Sequence, residues 1–399
     1  MIPPGDVSTI RRLVLEHTPC LNARVGPALT NNFGVVLGED VLADGDMPAL
    51  PTSRMDGYAL RATDVVLHRV LEIAGTTRAG DHRGQPLPVG MCHKITTGAA
   101  LPENADCVIP VEDTRTVDGG IEIIAVHCTD HRFIRFPGEE FRQGQVLVPA
   151  GTVLGPVEYG LLALAGRTAA LQYDAPRVAV LSTGNEIVEP GMRPGQHQVR
   201  NSNGPMLMAQ LCRAGALPRF LGIAPDSEAS LRSLIREGLW HNVLVISGGI
   251  SAGDRDLVPS VLKSEGARIL AHGVSMRPGK PFLFATHPCG PIIFGLPGNP
   301  VSAFTCMELF VRPAIESMRG LQAPAEKQWQ KAPLATDFSW KGDRPFYPPM
   351  RLDSKGLLHP THLSGSADLR SIAGCNVLAR LAPQGMLHAG DPVDIAILE

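Results

Sequence analysis

The sequence predicts a multidomain α/β and β protein. Its parts are a helical linker region with an inserted β-rich domain, a parallel-sheet α/β domain and a small C-terminal β-barrel. Three observations predict it. From Arg177 onward, strand-like and helix-like runs alternate at the spacing of βαβ units, which implies a parallel sheet with helices on both faces. Before that, short β-like runs (VVLHRVLEIAG, CVIPVED, IEIIAVH) alternate with Gly/Pro turns, and helical patterns stand on either side of them. After about residue 328 the runs are again short and β-like (FYPPMRLD, NVLARL, DPVDIAIL). The expected bounds are 1–47 with 137–174 for a discontinuous helical linker domain, 48–136 for the insertion, 175–322 for the α/β domain and 328–399 for the barrel.

Taken in order, Val7, Ile10, Leu13 and Val14 recur at a helical period, with Asp6 or Ser8 as the cap. Two polar spots in the insertion exceed what turns require: Ser53-Arg54-Met55-Asp56-Gly57-Tyr58 and Lys94-Ile95-Thr96-Thr97-Gly98-Ala99. A turn at Asp56-Gly57 and a strand end at Thr96-Thr97-Gly98 are the competing readings. Gly155-Pro156 opens a helix, with Val157 and the apolar run from Leu161 on its inner face. In the α/β part, VAVLS, RFLGI, VLVISGG, ARILAHGV, FLFAT and PIIFGL read as strands. GPMLMAQLCRAG, SEASLRSLIREGL, LVPSVLKSEG and the long PVSAFTCMELFVRPAIESM read as helices.

The 399 residues are 44% hydrophobic and 19% charged, with a formal net charge of −3. No basic excess favours nucleic acid or an anionic membrane as partner. No apolar run approaches transmembrane length, and MIPPGDVSTIRR lacks the apolar core of a signal peptide. Eight cysteines are scattered without a C-x-x-C, which argues for reduced thiols and a cytoplasmic protein. His127-Cys128-Thr129-Asp130-His131 follows a strand, so its histidines lack helical alignment and a polar turn is preferred over zinc.

The chemistry gathers where strands end. Residues 243–256, VLVISGGISAGDRD, run from a strand buried on both faces into Ser247, Gly248, Gly249, Ser251, Gly253, Asp254 and Asp256. Small residues at the carboxyl end of a parallel strand free backbone N–H groups for an anion, and aspartates could hold a divalent cation. A tight turn with Asp254 or Asp256 capping the next helix is the plainer alternative. Ser182-Thr183-Gly184-Asn185-Glu186 ends the first strand, and Asp226 follows the second, where an N-cap is the preferred reading of that residue by itself. Pro297-Gly298-Asn299-Pro300 ends the last, with Asn299 placed to cap and Pro300 at the first helical position. Met276-Arg277-Pro278-Gly279-Lys280-Pro281 supplies two cations but departs from a Walker A loop, and no G-x-G-x-x-G occurs. Glycine-rich strand ends together with Arg277 and Lys280 make an anion site. A polar loop at residues 363–372 could face it from the last domain.

With SRMDGYAL, KITTGAALPENADCVIP, LSTGNEI, VISGGISAGDRD, MRPGKPF, GLPGNPVSA and SGSADLRSIAG in this order, the chain resembles the molybdopterin molybdenumtransferases, a family that includes the E domain of gephyrin. The resemblance runs from about residue 53 to about 375. It implies a four-domain dimer whose α/β domain binds molybdopterin, inserting molybdate into adenylyl-molybdopterin with release of AMP and help from Mg²⁺. By motif, Asp56, Thr97, Glu186, Asp226, Asp256 and Lys280 take the catalytic positions, with Glu186, Asp226 and Asp256 as metal ligands. Substrate contacts fall on Thr183, Gly184, Ser247, Gly248, Gly249, Ser251, Arg277, Pro297, Gly298, Asn299, Pro300 and Ser302. Arg344 and Ser366 are the molybdate-side contacts. The molybdopterin adenylyltransferase and molybdoenzyme chaperones are the implied protein partners. The chain departs from the family's pattern in three places. Arg277 replaces a common Lys, a planar fork for a point charge. Asn185 replaces the usual Asp, and Glu140 stands where GED is usual. The alternatives from other classes are an adenylyltransferase acting on molybdopterin and a non-catalytic molybdopterin-binding scaffold.

Overall fold

Asp6 opens the first helix, Val7–Glu16, by accepting a hydrogen bond from Thr9 N at 2.7 Å. The computed structural model describes residues 5–27, 34–82, 86–127, 131–251, 257–321, 329–362 and 364–398. The helix buries Val7, Ile10 and Val14 against Phe282, Phe284 and Phe310 of the α/β core. By packing it lies against the α/β layer. A helical period shows which face is buried but not against which partner.

The α/β sheet has six strands in the order Leu217–Ala224, Arg177–Thr183, Val243–Ser247, Ile292–Leu296, Leu283–Thr286, Arg268–His272. The first four are mutually parallel. Leu283–Thr286 runs antiparallel to both neighbours, which corrects the fully parallel sheet that strand–helix alternation implies. The cause is loop length: His287 N donates to Pro291 O at 3.0 Å, closing a hairpin, and so short a link cannot make a parallel crossover. Side chains of the central strand alternate between two cores, Val243 and Val245 to one face, Leu244 and Ile246 to the other.

The long closing helix is continuous but holds a π segment, Met307–Val311, between Pro300–Cys306 and Arg312–Met318. Its buried Glu308 accepts from Gln210 Nε2 at 2.7 Å and Arg213 Nη2 at 2.5 Å. The helix Pro156–Leu164 starts at Gly155 as expected, with Gly155 N donating to Glu158 at 2.9 Å. Its inner face is Leu162, whereas Val157 is 69% exposed. Five residues at about 100° each carry Val157 about 140° round the helix from Leu162, so both cannot face inward.

The insertion forms a six-stranded sheet, Cys107–Pro110, Gly57–Leu60, Met91–Ile95, Val70–Thr77, Gly120–Ile123, Thr114–Val117, around Leu60, Leu71, Ile109 and Ile121. The last part is a five-stranded antiparallel sheet with a two-stranded ribbon, Phe338–Trp340 with Gly385–Leu387. His127 pairs with Asp113 at 3.0 Å, and His131 Nδ1 meets the Asp106 carbonyl at 2.8 Å, so the two histidines have separate partners. Cys128 and Asp130 lie outside the described residues. Among the described residues no helix is long and apolar enough to cross a membrane.

Candidate functional site

Because four neighbouring strands are parallel, their carboxyl ends share one edge, and the loops there line a cleft of about 1310 Å³. Thr183, Gly184 and Glu186 reach it from the first strand, and Asp226 from the second. Ser247, Gly248, Gly249 and Ser251 follow the third, and Pro297, Gly298, Asn299, Pro300 and Ser302 the last. Arg277 and Lys280 line it from the 276–281 loop, and Arg344 and Ser366 from the C-terminal part. Asp256, with Asp254, lies outside the described residues.

The loops are held by specific contacts. Gly248 has φ +95, and a Cβ there would stand 2.8 Å from the Thr183 carbonyl, so only glycine fits between these strand ends. Gly184 has φ +137, with the Glu186 carboxylate folded where its Cβ would be. Asp226 does not cap the following helix, since Ser227 does so by accepting from Ser230 N. Asp226 instead exchanges two bonds with Asn185: Asn185 N donates to Oδ2 at 3.2 Å, and Asp226 N donates to Asn185 Oδ1 at 3.0 Å. An aspartate at 185 would bring a second carboxylate against Asp226, and the amide avoids that repulsion. Glu140 pairs with Arg135 at 2.6 Å.

Asn299 holds the N-cap position with extended backbone, but its side chain makes no cap bond. Its Nδ2 donates to Ser366 Oγ at 2.8 Å, while Val301 N at the helix start donates to Ser366 O at 3.0 Å. The C-terminal loop thus docks on the helix start. Arg277 is anchored in the same way. Its N donates to Pro345 O at 2.8 Å, Tyr347 N donates to its carbonyl at 2.7 Å, and its guanidinium lies 4.1 Å over Phe346 and donates to Lys341 O. Burial, then neighbouring Arg344, pulls its pKa below the ordinary arginine value. Arg344 itself donates to Met276 O at 3.3 Å.

Glu186 and Asp226 offer hard oxygen donors to one cleft, which suits Mg²⁺, an ion commonly held by one or two carboxylates plus phosphate oxygens. Among the described residues no three His, Cys, Asp or Glu side chains form a metal cluster.

Asp56 and Thr97 are together, but not in this cleft of their own chain. Thr97 donates to Asp56 Oδ1 from its N at 2.7 Å and from its hydroxyl at 2.9 Å. Those bonds, the backbone one first, hold the Asp56 pKa below the ordinary aspartate value. A depressed carboxylate stabilises the contact above the unfolded pKa and loses it as pH falls through the folded one. In a pH titration, the Thr97 amide NMR shift should therefore move with a midpoint below that of a free aspartate, near 3.9. A midpoint at or above that value would show the contact to be absent in solution.

Sequence reasoning missed Asn201 and Asn203 as part of the cleft lining. Asn201 accepts from Ser182 Oγ at 3.2 Å and Gly204 N at 2.9 Å. Asn203 donates to Ser247 Oγ and to the Gly298 carbonyl, each at 2.8 Å. Asn201-Ser202-Asn203-Gly204, a polar run at the start of an apolar helix, was the available signal. Phe338, Trp340 and Lys341 on the C-terminal wall were also missed.

Comparison with known proteins agrees with this layout. Residues 6–166 match the family described as MoeA N-terminal region (domain I and II), 179–317 match probable molybdopterin binding domain, and 331–398 match MoeA C-terminal region (domain IV). The molybdopterin molybdenumtransferase of a Nostoc species is 33% identical, covering 100% of this chain and 94% of that protein. Molybdopterin molybdenumtransferase 2 of Mycobacterium tuberculosis is 33% identical over 88% of this chain and 89% of its own length. The crystal structure of the molybdopterin biosynthesis moea protein from Pyrococcus horikosii superposes with a TM-score of 0.83 at 29% identity, covering 100% of both chains. With its relatives matched end to end and its motifs on one sheet edge, the chain belongs to the molybdopterin molybdenumtransferase family, the enzymes of molybdenum cofactor biosynthesis.

Proposed function

We propose that the enzyme inserts molybdate into adenylyl-molybdopterin and releases AMP to give molybdenum cofactor. One observation carries the reading: loops from four strand ends line one cleft together with Arg277, Lys280 and Arg344, and that cleft also holds Glu186 and Asp226. Molybdate, the adenylate and the pterin phosphate are all anions, and gathering them needs cations and polar groups of the kind this cleft brings together. Thr183, Gly184, Ser247, Gly248, Gly249 and Ser251 would cradle the phosphates, with residues 297–300 and Ser302 closing the floor. Arg344 and Ser366 would meet molybdate from the C-terminal wall. Mg²⁺ held by Glu186, Asp226 and Asp256 would supply charge neutralisation at the phosphoanhydride. The chain's own part is positioning and charge complementarity, which needs no nucleophilic triad.

The reading includes a dimer in which Asp56 and Thr97 serve the partner's cleft. In its favour, the unit built on Leu37, Val41 and Leu162 exposes Val25, Val153, Val157 and Leu164. The cytoplasm is the proposed compartment, and the described cysteines are free thiols.

The test is to mix purified protein with adenylyl-molybdopterin, molybdate and Mg²⁺ and to measure AMP. AMP should appear only with the oxyanion present. Pyrophosphate release from ATP and molybdopterin, with no AMP from the preformed adenylate, would move the assignment to adenylyl transfer. Tungstate in place of molybdate reads the oxyanion preference.

A further inference from the structure

Asn203 begins the helix Asn203–Arg213, is 8% exposed and lines the cleft. Its Nδ2 reaches Ser247 Oγ and the Gly298 carbonyl, which follow two adjacent parallel strands. A carbonyl only accepts, so the Gly298 contact settles which end of the amide faces the two loops. Asn203 Oδ1 has no hydrogen-bond partner among the described residues. A buried amide oxygen left unpaired is costly, and a leucine of similar size would avoid that cost. Within the described protein, both of the side chain's hydrogen bonds are made by its nitrogen.

We propose that Asn203 is a positioning residue that makes the Ser247 hydroxyl an obligate donor to the anionic group in the cleft. The proposal deepens the functional reading above and takes its anionic ligand from it. A serine hydroxyl carries one proton. Asn203 Nδ2 has only hydrogens to offer, so Ser247 Oγ accepts there and its own proton is left for the cleft that Ser247 lines. The second bond holds the 297–300 loop in place, and through Asn299 and Ser366 that loop supports the C-terminal wall.

Asn203→Asp and Asn203→Leu separate polarity from packing. The carboxylate is nearly isosteric but only accepts: it takes the Ser247 proton and turns the serine lone pairs toward the anion. Leucine removes both bonds without that reversal. The measurements are KM and kcat for AMP release, the dissociation constant for inorganic pyrophosphate, and Tm. Asn203→Asp should weaken pyrophosphate binding and raise KM about 10- to 100-fold, and Asn203→Leu only about 3-fold. In a Ser247→Ala background the gap between the two should narrow to what the added carboxylate charge causes by itself.

Equal losses in both variants, a gap undiminished by the loss of Ser247, or losses that simply follow Tm would overturn the proposal. Ser247→Ala alone guards against misfolding at 203, since pyrophosphate binding unchanged by it would overturn the proposal as well. A wild type that binds pyrophosphate with this pattern but releases no AMP would remove the functional reading and leave the positioning role. AMP release without the pattern would do the reverse.

Discussion

Lys280→Ala should lower AMP release about 100-fold while the protein unfolds at nearly the wild-type temperature. Lys280 is exposed at the cleft, and its loop closes through the backbone, Val274 N donating to Lys280 O at 3.0 Å, which alanine preserves. Its charge already acts locally, helping to lower the Asp343 pKa, although the Arg344 hydrogen bond is the larger cause there. An exposed cation beside carboxylates adds little to stability, but against a bound anion in a partly desolvated cleft it is worth far more. Wild-type KM should rise with salt as the Debye length shrinks from about 10 Å at 0.1 M to about 3 Å at 1 M. The variant's KM should depend on salt less steeply. Lys280→Arg should recover part of the loss, since charge returns in a different shape. A large fall in Tm with turnover unchanged would make Lys280 a structural residue.

What the sequence revealed and what it hid divide along a physical line. Thr183, Ser247 and Pro297 were legible because each ends or follows a buried apolar run, and small residues there are local chemistry. Arg277 was legible as a loop cation, whereas Arg344 and Ser366 came into view through the family resemblance, and the structure adds what holds them: Phe346 under Arg277, Met276 O on Arg344, Asn299 on Ser366. Asn203 stayed hidden because its meaning depends on strand order. Its two acceptors lie far along the chain and meet it only because their strands are adjacent. The antiparallel Leu283–Thr286 was misread because its apolar run looks the same in either direction, and only the short hairpin link decides. Asp226 was misread as an alternative cap because its partner, Asn185, belongs to another strand end.

Mixing Asp56→Asn with Lys280→Ala should restore about a quarter of wild-type sites, although each homodimer alone is nearly inactive. Asp56 and Thr97 bond to each other yet line no part of the cleft that contains Lys280 in the same chain. Asparagine at 56 can still accept from Thr97, so the variant removes charge and keeps the local contact. If a two-fold dimer builds each cleft from both chains, a heterodimer carries both lesions in one site and none in the other. Random association makes about half the dimers mixed, and one site in two of those is intact. That quarter stands well above the residual rate expected of Lys280→Ala alone. If each chain instead served its own cleft, every site in the mixture would keep a lesion and the rate would stay at the sum of the two backgrounds. The measurement is AMP release after co-expression, with heterodimers counted by native mass spectrometry. Abundant heterodimers without recovered turnover would overturn the shared site and return Asp56 to its own chain.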